Sequence, residues 1–328
     1  MTPAAFLETH FFCDGHADTL RNVAMNGSDF IKGKGGNHVD LPRLSRAHQN
    51  LQVMAVFVPY IERGQQARNA AFRIAAQAYR AICRAEGRLT LVRSGETLEK
   101  CRRSSSMGLL LSLEGADPLM GELHLLEPFF RFGFRAIGLT HNHNSCAGGG
   151  CEPPDGVRMG LTAFGQRLIP RMEELGMVVD TAHLSRKAFS ELMDRVTRPV
   201  VNSHCCCAHF VDIERNATDE QLRLIAQTGG LAAVTYVPKF LSGSDDDPVS
   251  SRDVFRHLEH MVEVAGIDHV ALGSDFDGVS ELPTDLRNPL EVENLVVHMI
   301  EAGWSSEDIA RVVGGNWYRV LRAVLPVR

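Results

Sequence analysis

Eight short apolar runs rich in β-branched or aliphatic residues recur along the chain, at about 11–18, 51–58, 108–114, 134–140, 177–183, 199–204, 230–236 and 269–275. Each is separated from the next by a stretch with helical periodicity. Runs such as Leu51-Gln52-Val53-Met54-Ala55-Val56-Phe57-Val58 and Met177-Val178-Val179-Asp180-Thr181-Ala182 are apolar on both faces, as a parallel strand covered by helices must be. Between them, residues 63–86 are dense in Ala, Arg and Gln, with Ala71, Ile74, Ala75 and Tyr79 on one stripe. Thr218 ahead of Asp219 and Glu220 reads as an N-cap with acids in the first turn, and Ser305-Ser306-Glu307-Asp308 has the capping-box pattern. Strand–helix alternation points to βαβ units. No Gly- or Pro-rich linker divides the chain and no internal repeat is evident, so the expected fold is α/β, a single (β/α)₈ TIM-type barrel spanning 1–328 as one domain. The alternative is an open doubly wound sheet, which lacks support because no Gly-x-Gly-x-x-Gly follows the first strand. Three long connections, about 20–40, 141–160 and 237–252, leave the C-terminal ends of strands, the active-site face of a barrel. The last of them, with Asp245-Asp246-Asp247, reads equally as a mobile, solvated loop.

Composition narrows the function without deciding it. A hydrophobic fraction of 44% and a charged fraction of 23% belong to an ordinary globular protein with a full core, not a membrane-resident one. Lys plus Arg number 34 against 40 Asp plus Glu, a formal charge of -6, and no basic or aromatic-plus-Arg stripe appears. Nucleic acid is therefore not the expected partner; a small molecule is. The N-terminus lacks the basic and apolar segments of an export signal, and the C-terminus has no apolar tail. Adjacent thiols such as Cys205-Cys206-Cys207 cannot bond to one another without strain, so the eight cysteines are expected to be reduced, in a cytoplasm. Cys146 and Cys151 flank a glycine run and are spaced to pair or to hold a structural zinc, although two cysteines without a second pair are a weak zinc signal.

The C-terminal ends of the predicted strands carry the chemistry. Strand 1 ends in His16 and Asp18, strand 3 in Glu114, strand 4 in His141, strand 5 in His183, strand 6 in His204 and strand 8 in Asp275. Any one of these is unremarkable as a polar strand end. In a barrel, however, they form a ring around a single mouth. His16 and Asp18, two apart on a strand, should point to the same side. Imidazole and carboxylate donors suit zinc or a similar divalent ion, and a two-ion site needs a bridging carboxylate. The lysines are Lys32, Lys34, Lys100, Lys187 and Lys239, none within a predicted strand, so a carbamylated lysine is not available and Glu114 is the candidate bridge. The resulting assignment is two divalent metal ions, zinc first among them. His16, Asp18 and Glu114 hold one ion; Glu114, His183 and His204 hold the other.

Together Asp14-Gly15-His16-Ala17-Asp18, Leu113-Glu114-Gly115, Gly138-Leu139-Thr140-His141-Asn142, Gly160-Leu161-Thr162-Ala163-Phe164-Gly165, Asp180-Thr181-Ala182-His183-Leu184-Ser185, Ser203-His204, Arg215-Asn216, Gly273-Ser274-Asp275-Phe276-Asp277-Gly278 and Gly315-Asn316-Trp317-Tyr318-Arg319-Val320 run in order through nearly the whole chain. In these motifs the sequence resembles the membrane (renal) dipeptidase family, metallopeptidase family M19 of the amidohydrolase superfamily. The resemblance implies a zinc-dependent barrel dipeptidase that often accepts a D-residue on the C-terminal side. Some such enzymes also open β-lactams, and relatives often form homodimers. It further implies attack by a hydroxide shared between the ions, with Asp275 moving the proton from water to the leaving amine. His141 would stabilise the oxyanion, Arg215 would grip the substrate carboxylate through its planar fork, and Tyr236 would line the pocket.

The sequence also departs from that pattern. Glu214 stands where relatives often carry a second arginine, and Cys205-Cys206-Cys207 replace small polar residues, which should narrow or soften the pocket wall. His143 enters the loop after strand 4 and reads as a solvent-exposed bystander; His257 and His260, three apart on a helix, read as a solvated face. Two other readings stay open. One is an amidohydrolase acting on another small amide, lactam or lactone, and the other is a catalytically idle metal-binding scaffold.

Overall fold

Strands covered on both faces pair in parallel, because only strand–helix–strand crossovers put a helix outside each of them. A computed structural model, which describes residues 2–104, 106–244 and 248–328, has nine strands. They are β1 (Cys13–Ala17), β2 (Leu51–Phe57), β3 (Leu89–Leu91), β4 (Met107–Glu114), β5 (Phe134–Gly138), β6 (Val178–Asp180), β7 (Val201–Cys205), β8 (Leu231–Val234) and β9 (Val270–Leu272). The hydrogen-bonded order is β1-β2-β4-β5-β6-β7-β8-β9, parallel throughout. The ends of this path meet in the parallel bridge Ala17–Phe276, where the Asp18 N–H donates to the Phe276 carbonyl at 2.9 Å and the Asp275 N–H to that of His16 at 3.2 Å. The architecture is thus the expected TIM-type barrel of eight strands. β3 lies off the path and pairs only with the start of β4; at three residues it is too short to leave a periodic signal.

Alternation along the strands builds two packed layers. Met54, Val56, Leu109, Leu111, Ile137, Val179 and Leu272 face the surrounding helices. Leu51, Val53, Leu110, Ala136, Val178, Val201, Ala233 and Ala271 point the other way and fill the lumen, which Trp317, Val320 and Leu321 of the helix Asn316–Val324 close from below. Trp317 donates its indole N–H to the Leu272 carbonyl at 3.0 Å. Its ring lies where a side chain on Gly15 would be, 2.2 Å from an ideal Cβ there, so β1 needs glycine at that point.

Several sequence expectations are corrected. The helix expected over 63–86 spans Gln65–Arg84, and the connection 20–40 opens with a helix, Thr19–Asn26. Asp245–Asp247 lie outside the described residues. Cys146 and Cys151 are unpaired and join none of the candidate metal groups found among the described residues. Cys205, Cys206 and Cys207 are fully buried in the same apolar cluster as Tyr236 and Phe276; burial pushes the Cys205 thiol up to about 12, which keeps it protonated. His257 is no solvated group either. It is fully buried, accepting from the Cys207 N–H at 3.0 Å through Nδ1 and donating to the Leu241 carbonyl at 3.1 Å through Nε2. Among the described residues no helix is long and apolar enough to cross a membrane.

Candidate metal centre

Parity brings Glu114 into the mouth directly: it lies on the same face of β4 as the lumen residue Leu110 and is buried. His16 and His204 arrive differently. Strict alternation after Cys13 and Gly15 would turn His16 outward, yet the pairing of β1 with β2 slips between Asp14 and Ala17. The β7–β8 register slips likewise between Asn202 and Cys205, across His204. Each irregularity re-aims one histidine, so that the two rings meet with centroids 3.8 Å apart. Asp18 is not a strand residue at all: β1 ends at Ala17, and Asp18 stands at the N-cap position of the helix Thr19–Asn26. The expected convergence of His16 and Asp18 holds, with Nε2 to Oδ2 at 3.4 Å, but simple strand alternation does not cause it.

His183 and Asp275 lie three residues beyond the ends of β6 and β9, both in the left-handed region with φ of 63° and 66°. For residues with a Cβ, each such conformation costs on the order of 1 kcal/mol or more and persists only where the surroundings enforce it. Around His183 they do: Nδ1 donates to Asn142 Oδ1 at 2.6 Å. That bond leaves Nε2 as the acceptor nitrogen, 3.0 Å from Glu114 Oε1, 2.8 Å from His204 Nε2 and within reach of the Arg215 Nη2 donor at 3.2 Å. Glu114 is divided between the two groups, its Oε2 lying 3.6 Å from His16 Nε2 and its Oε1 3.8 Å from His204 Nε2. Asp275 Oδ1 is 3.9 Å from His16 Nε2.

Burial sets the charge states here. It pulls His183 and His204 well below the ordinary histidine range, helped by Arg215 for His183 and by protonated His16 for His204, so both are neutral. His16 is held up by Glu114 and Asp18 against the effect of its burial. Asp275 is pushed up to about 7, first by burial and then by the Asp18 and Glu114 charges, with His16 and Arg215 acting against the rise.

These observations test whether the donors fit divalent cations. Both ring nitrogens of His16 and Oδ1 of Asp18 are buried without a hydrogen-bond partner, an expensive condition for polar atoms. Two imidazole nitrogens face each other across 2.8 Å beside a carboxylate. The neutral imidazoles of His183 and His204 beside the Glu114 carboxylate are what a borderline divalent ion requires, and His16, which carries a proton among these carboxylates, would release it on binding an ion. The residues fit, in three overlapping groups: His16 with Asp18 and Glu114, Glu114 with His141 and His183, and His16 with His204 and Asp275.

The remaining candidates fall around this cage. His141 stacks against His183 and Phe57 with ring centroids 4.4 Å away in both cases, and its Nε2 is 4.0 Å from Glu114 Oε1. Arg215 is buried, with Nη2 3.2 Å from His183 Nε2 and with Nε and Nη1 unpartnered. Tyr236 is buried, its ring 5.5 Å from that of Phe276. His143 stacks on Tyr60 at 3.8 Å, and both border a small recess with Phe57, Glu114 and His141. A cavity of about 620 Å³ between the helices Thr19–Asn26 and Gln65–Arg84 includes none of these residues.

Sequence reasoning passed over the groups that hold the ligands. Asp14 accepts from the Ser274 N–H at 2.8 Å and its hydroxyl at 2.6 Å, tying β1 to the strand end that carries Asp275. Asp180 accepts from the Ser203 N–H at 3.0 Å beside His204. Asp277 accepts from Thr19 and from the backbone of His38, at 2.5 and 2.6 Å, and so anchors the connection after β1. Polar residues inside otherwise apolar strand ends were the available signal.

A parallel barrel with this cage at its mouth belongs to the class of metal-dependent hydrolases. Within that class, the family described as membrane dipeptidase (peptidase family M19) matches residues 3–328, and the chain belongs to it. One relative is the uncharacterized protein in the pqqA 5' region of Klebsiella pneumoniae, 33% identical over 250 residues, 74% of this chain and 92% of that one. Another is dipeptidase tcpJ of Claviceps purpurea, 29% identical; the match takes in 72% of this chain but only 56% of that protein. A crystal structure of a metallopeptidase from Rhodobacter sphaeroides, liganded with a phosphinate mimic of the dipeptide L-Ala-D-Ala, superposes with a TM-score of 0.90 at 26% identity, over 96% of this chain and 99% of that one.

Proposed function

We propose that the protein is a binuclear, zinc-dependent dipeptidase. His16, Asp18 and Glu114 hold one ion, and Glu114, His183 and His204 the other. The observation that carries this reading is the division of Glu114, with Oε2 toward His16 and Oε1 toward His183 and His204. When bound, two divalent ions supply a nucleophilic water and polarise the scissile carbonyl.

The chain's own groups do the rest. Asp275, its Oδ1 3.9 Å from His16 Nε2 and outside both proposed ligand sets, accepts the proton of the attacking water and passes it to the leaving amine. Burial pulls His141 below its ordinary range, so it is neutral and able to donate a hydrogen bond to the developing oxyanion. Arg215 offers two unpartnered guanidinium nitrogens to the free carboxylate of a dipeptide. Tyr236, behind Phe276, backs the pocket wall on that side. The Rhodobacter complex, with its mimic of an L,D-dipeptide, supports L-Xaa-D-Xaa substrates. Eight unpaired cysteines support a reducing, cytoplasmic setting. A homodimer belongs to the same reading and is checked by sedimentation.

The test is metal content together with hydrolysis of a panel of L,D- and L,L-dipeptides, with N-acyl amino acids as controls. Two ions per chain and turnover of free dipeptides are expected. Two ions with cleavage of the N-acyl compounds alone would move the substrate assignment to another amide. A metal count near zero would overturn the site.

A further inference from the structure

Outside the barrel mouth, one other cluster among the described residues combines imidazole and carboxylate donors: His209, Asp219 and His260, whose ligand atoms all lie within 4.8 Å of one another. Each comes from a different element. His209 sits in the connection after β7, Asp219 opens the helix Asp219–Gln227, and His260 lies on the helix Ser251–Ala265. We propose that these three side chains form a further binding site for a divalent transition-metal ion, zinc by preference, separate from the mouth of the barrel.

The geometry favours one ion shared by all three groups. The rings of His209 and His260 stack with centroids 4.2 Å apart and an interplanar angle of 23°, so their edges run side by side. His260 Nε2 lies in a 2.8 Å ion-pair contact with Asp219 Oδ1, which need open only slightly to admit an ion whose tetrahedral ligands sit roughly 3.3 Å apart. A His–Asp ion pair alone would account for that contact, but not for a second, exposed imidazole lying parallel beside it. Two imidazoles and a carboxylate leave coordination positions open to water, as suits zinc, cobalt or nickel better than calcium or magnesium. His260 is already framed on its other side, its Nδ1 lying 3.8 Å from Glu263 Oε2. His209 is the exposed member of the cluster.

An ion here would staple a connection to two helices. The connection's start is fixed by the Cys207 N–H on His257, and farther along it carries Arg215. Bound metal would therefore raise the stability of this segment whatever the enzyme's substrate proves to be.

The test uses the full-length protein, dialysed to equilibrium against zinc and, separately, cobalt. Wild type is compared with His209→Ala, which removes an exposed side chain, and with Asp219→Asn. Wild type is expected to hold one equivalent more than either variant, and to show a zinc-dependent rise of several degrees in its melting temperature that both variants lose. Its cobalt form should lack one set of visible d–d bands in the variants. Equal metal content and equal zinc-induced shifts in wild type and His209→Ala would overturn the proposal. Because the readout is a difference between proteins with the same barrel mouth, it does not depend on how many ions that mouth holds.

Discussion

The two ends of the barrel lumen are made by the same strands and obey opposite rules. At the bottom, Leu51, Val53, Leu110, Val178, Val201 and Ala271 pack against Trp317 with regular alternation, and burial holds the thiols of that cluster, Cys13 and Cys101, protonated. At the top, three histidines and three carboxylates crowd a buried space, two of them on left-handed backbone and two where the strand register slips. The lower end is what stabilises the fold; the upper end draws on that stability to hold groups that oppose one another.

If that division is right, changes at the two ends should separate metal binding from stability. The largest effect is expected from Glu114→Gln, which removes the group both ligand sets share. Metal content should fall, with kcat/KM dropping on the order of 1,000-fold or more, and the melting temperature of metal-free protein should also fall, because His16 loses the buried carboxylate that pairs with it. Next, Asp275→Asn should keep its metal, as mass spectrometry under native conditions would show, yet lose about 100- to 10,000-fold in kcat. Loss of metal in that variant would make Asp275 a ligand and not a proton carrier.

At the other end, Trp317→Ala should destabilise by about 3–5 kcal/mol in denaturant unfolding, through lost burial and an unfilled plug. Protein that remains folded should bind metal normally; a proportionate loss of affinity would mean that the two ends are not independent. The smallest effect is a pH dependence from the outer layer. His257 is lowered to about 4 by burial, against roughly 6.5 in an unfolded chain. As pH falls below 6.5, the unfolded state takes up a proton that the folded state refuses, so stability drains away down to about pH 4, by about 3 kcal/mol from this group. The difference in unfolding free energy between wild type and His257→Gln, measured from pH 7 to pH 4, should show that slope; a flat difference would mean that His257 titrates normally.

The same contrast explains what could be read from the sequence. The strands, the parallel order and the ring of polar strand ends were legible because apolar runs with a terminal His, Asp or Glu conflict with burial unless something binds there. Glu114 followed simple alternation. His16 and His204 were picked out as polar strand ends, but their route into the mouth passes through register slips that no residue pattern announced. Asp18 was assigned to a strand it does not join. His257 misled because a histidine on a helix reads as solvated, whereas its two hydrogen bonds come from Cys207 and Leu241, residues 50 and 16 positions away in sequence. Long-range partners of that kind are outside what local periodicity encodes.

The seam between the first and last strands has a consequence for synthesis. His16 and Asp18 leave the ribosome first among the site residues, but the Ala17–Phe276 bridge and the Asp14–Ser274 bonds that fix their backbone need residues made some 260 positions later. Until then β1 has a neighbour on one side only, and the histidine and aspartate face no Asp275. A half-made chain thus has no assembled hydrolytic centre with which to attack peptides in its surroundings, and the activity arrives with the last strand.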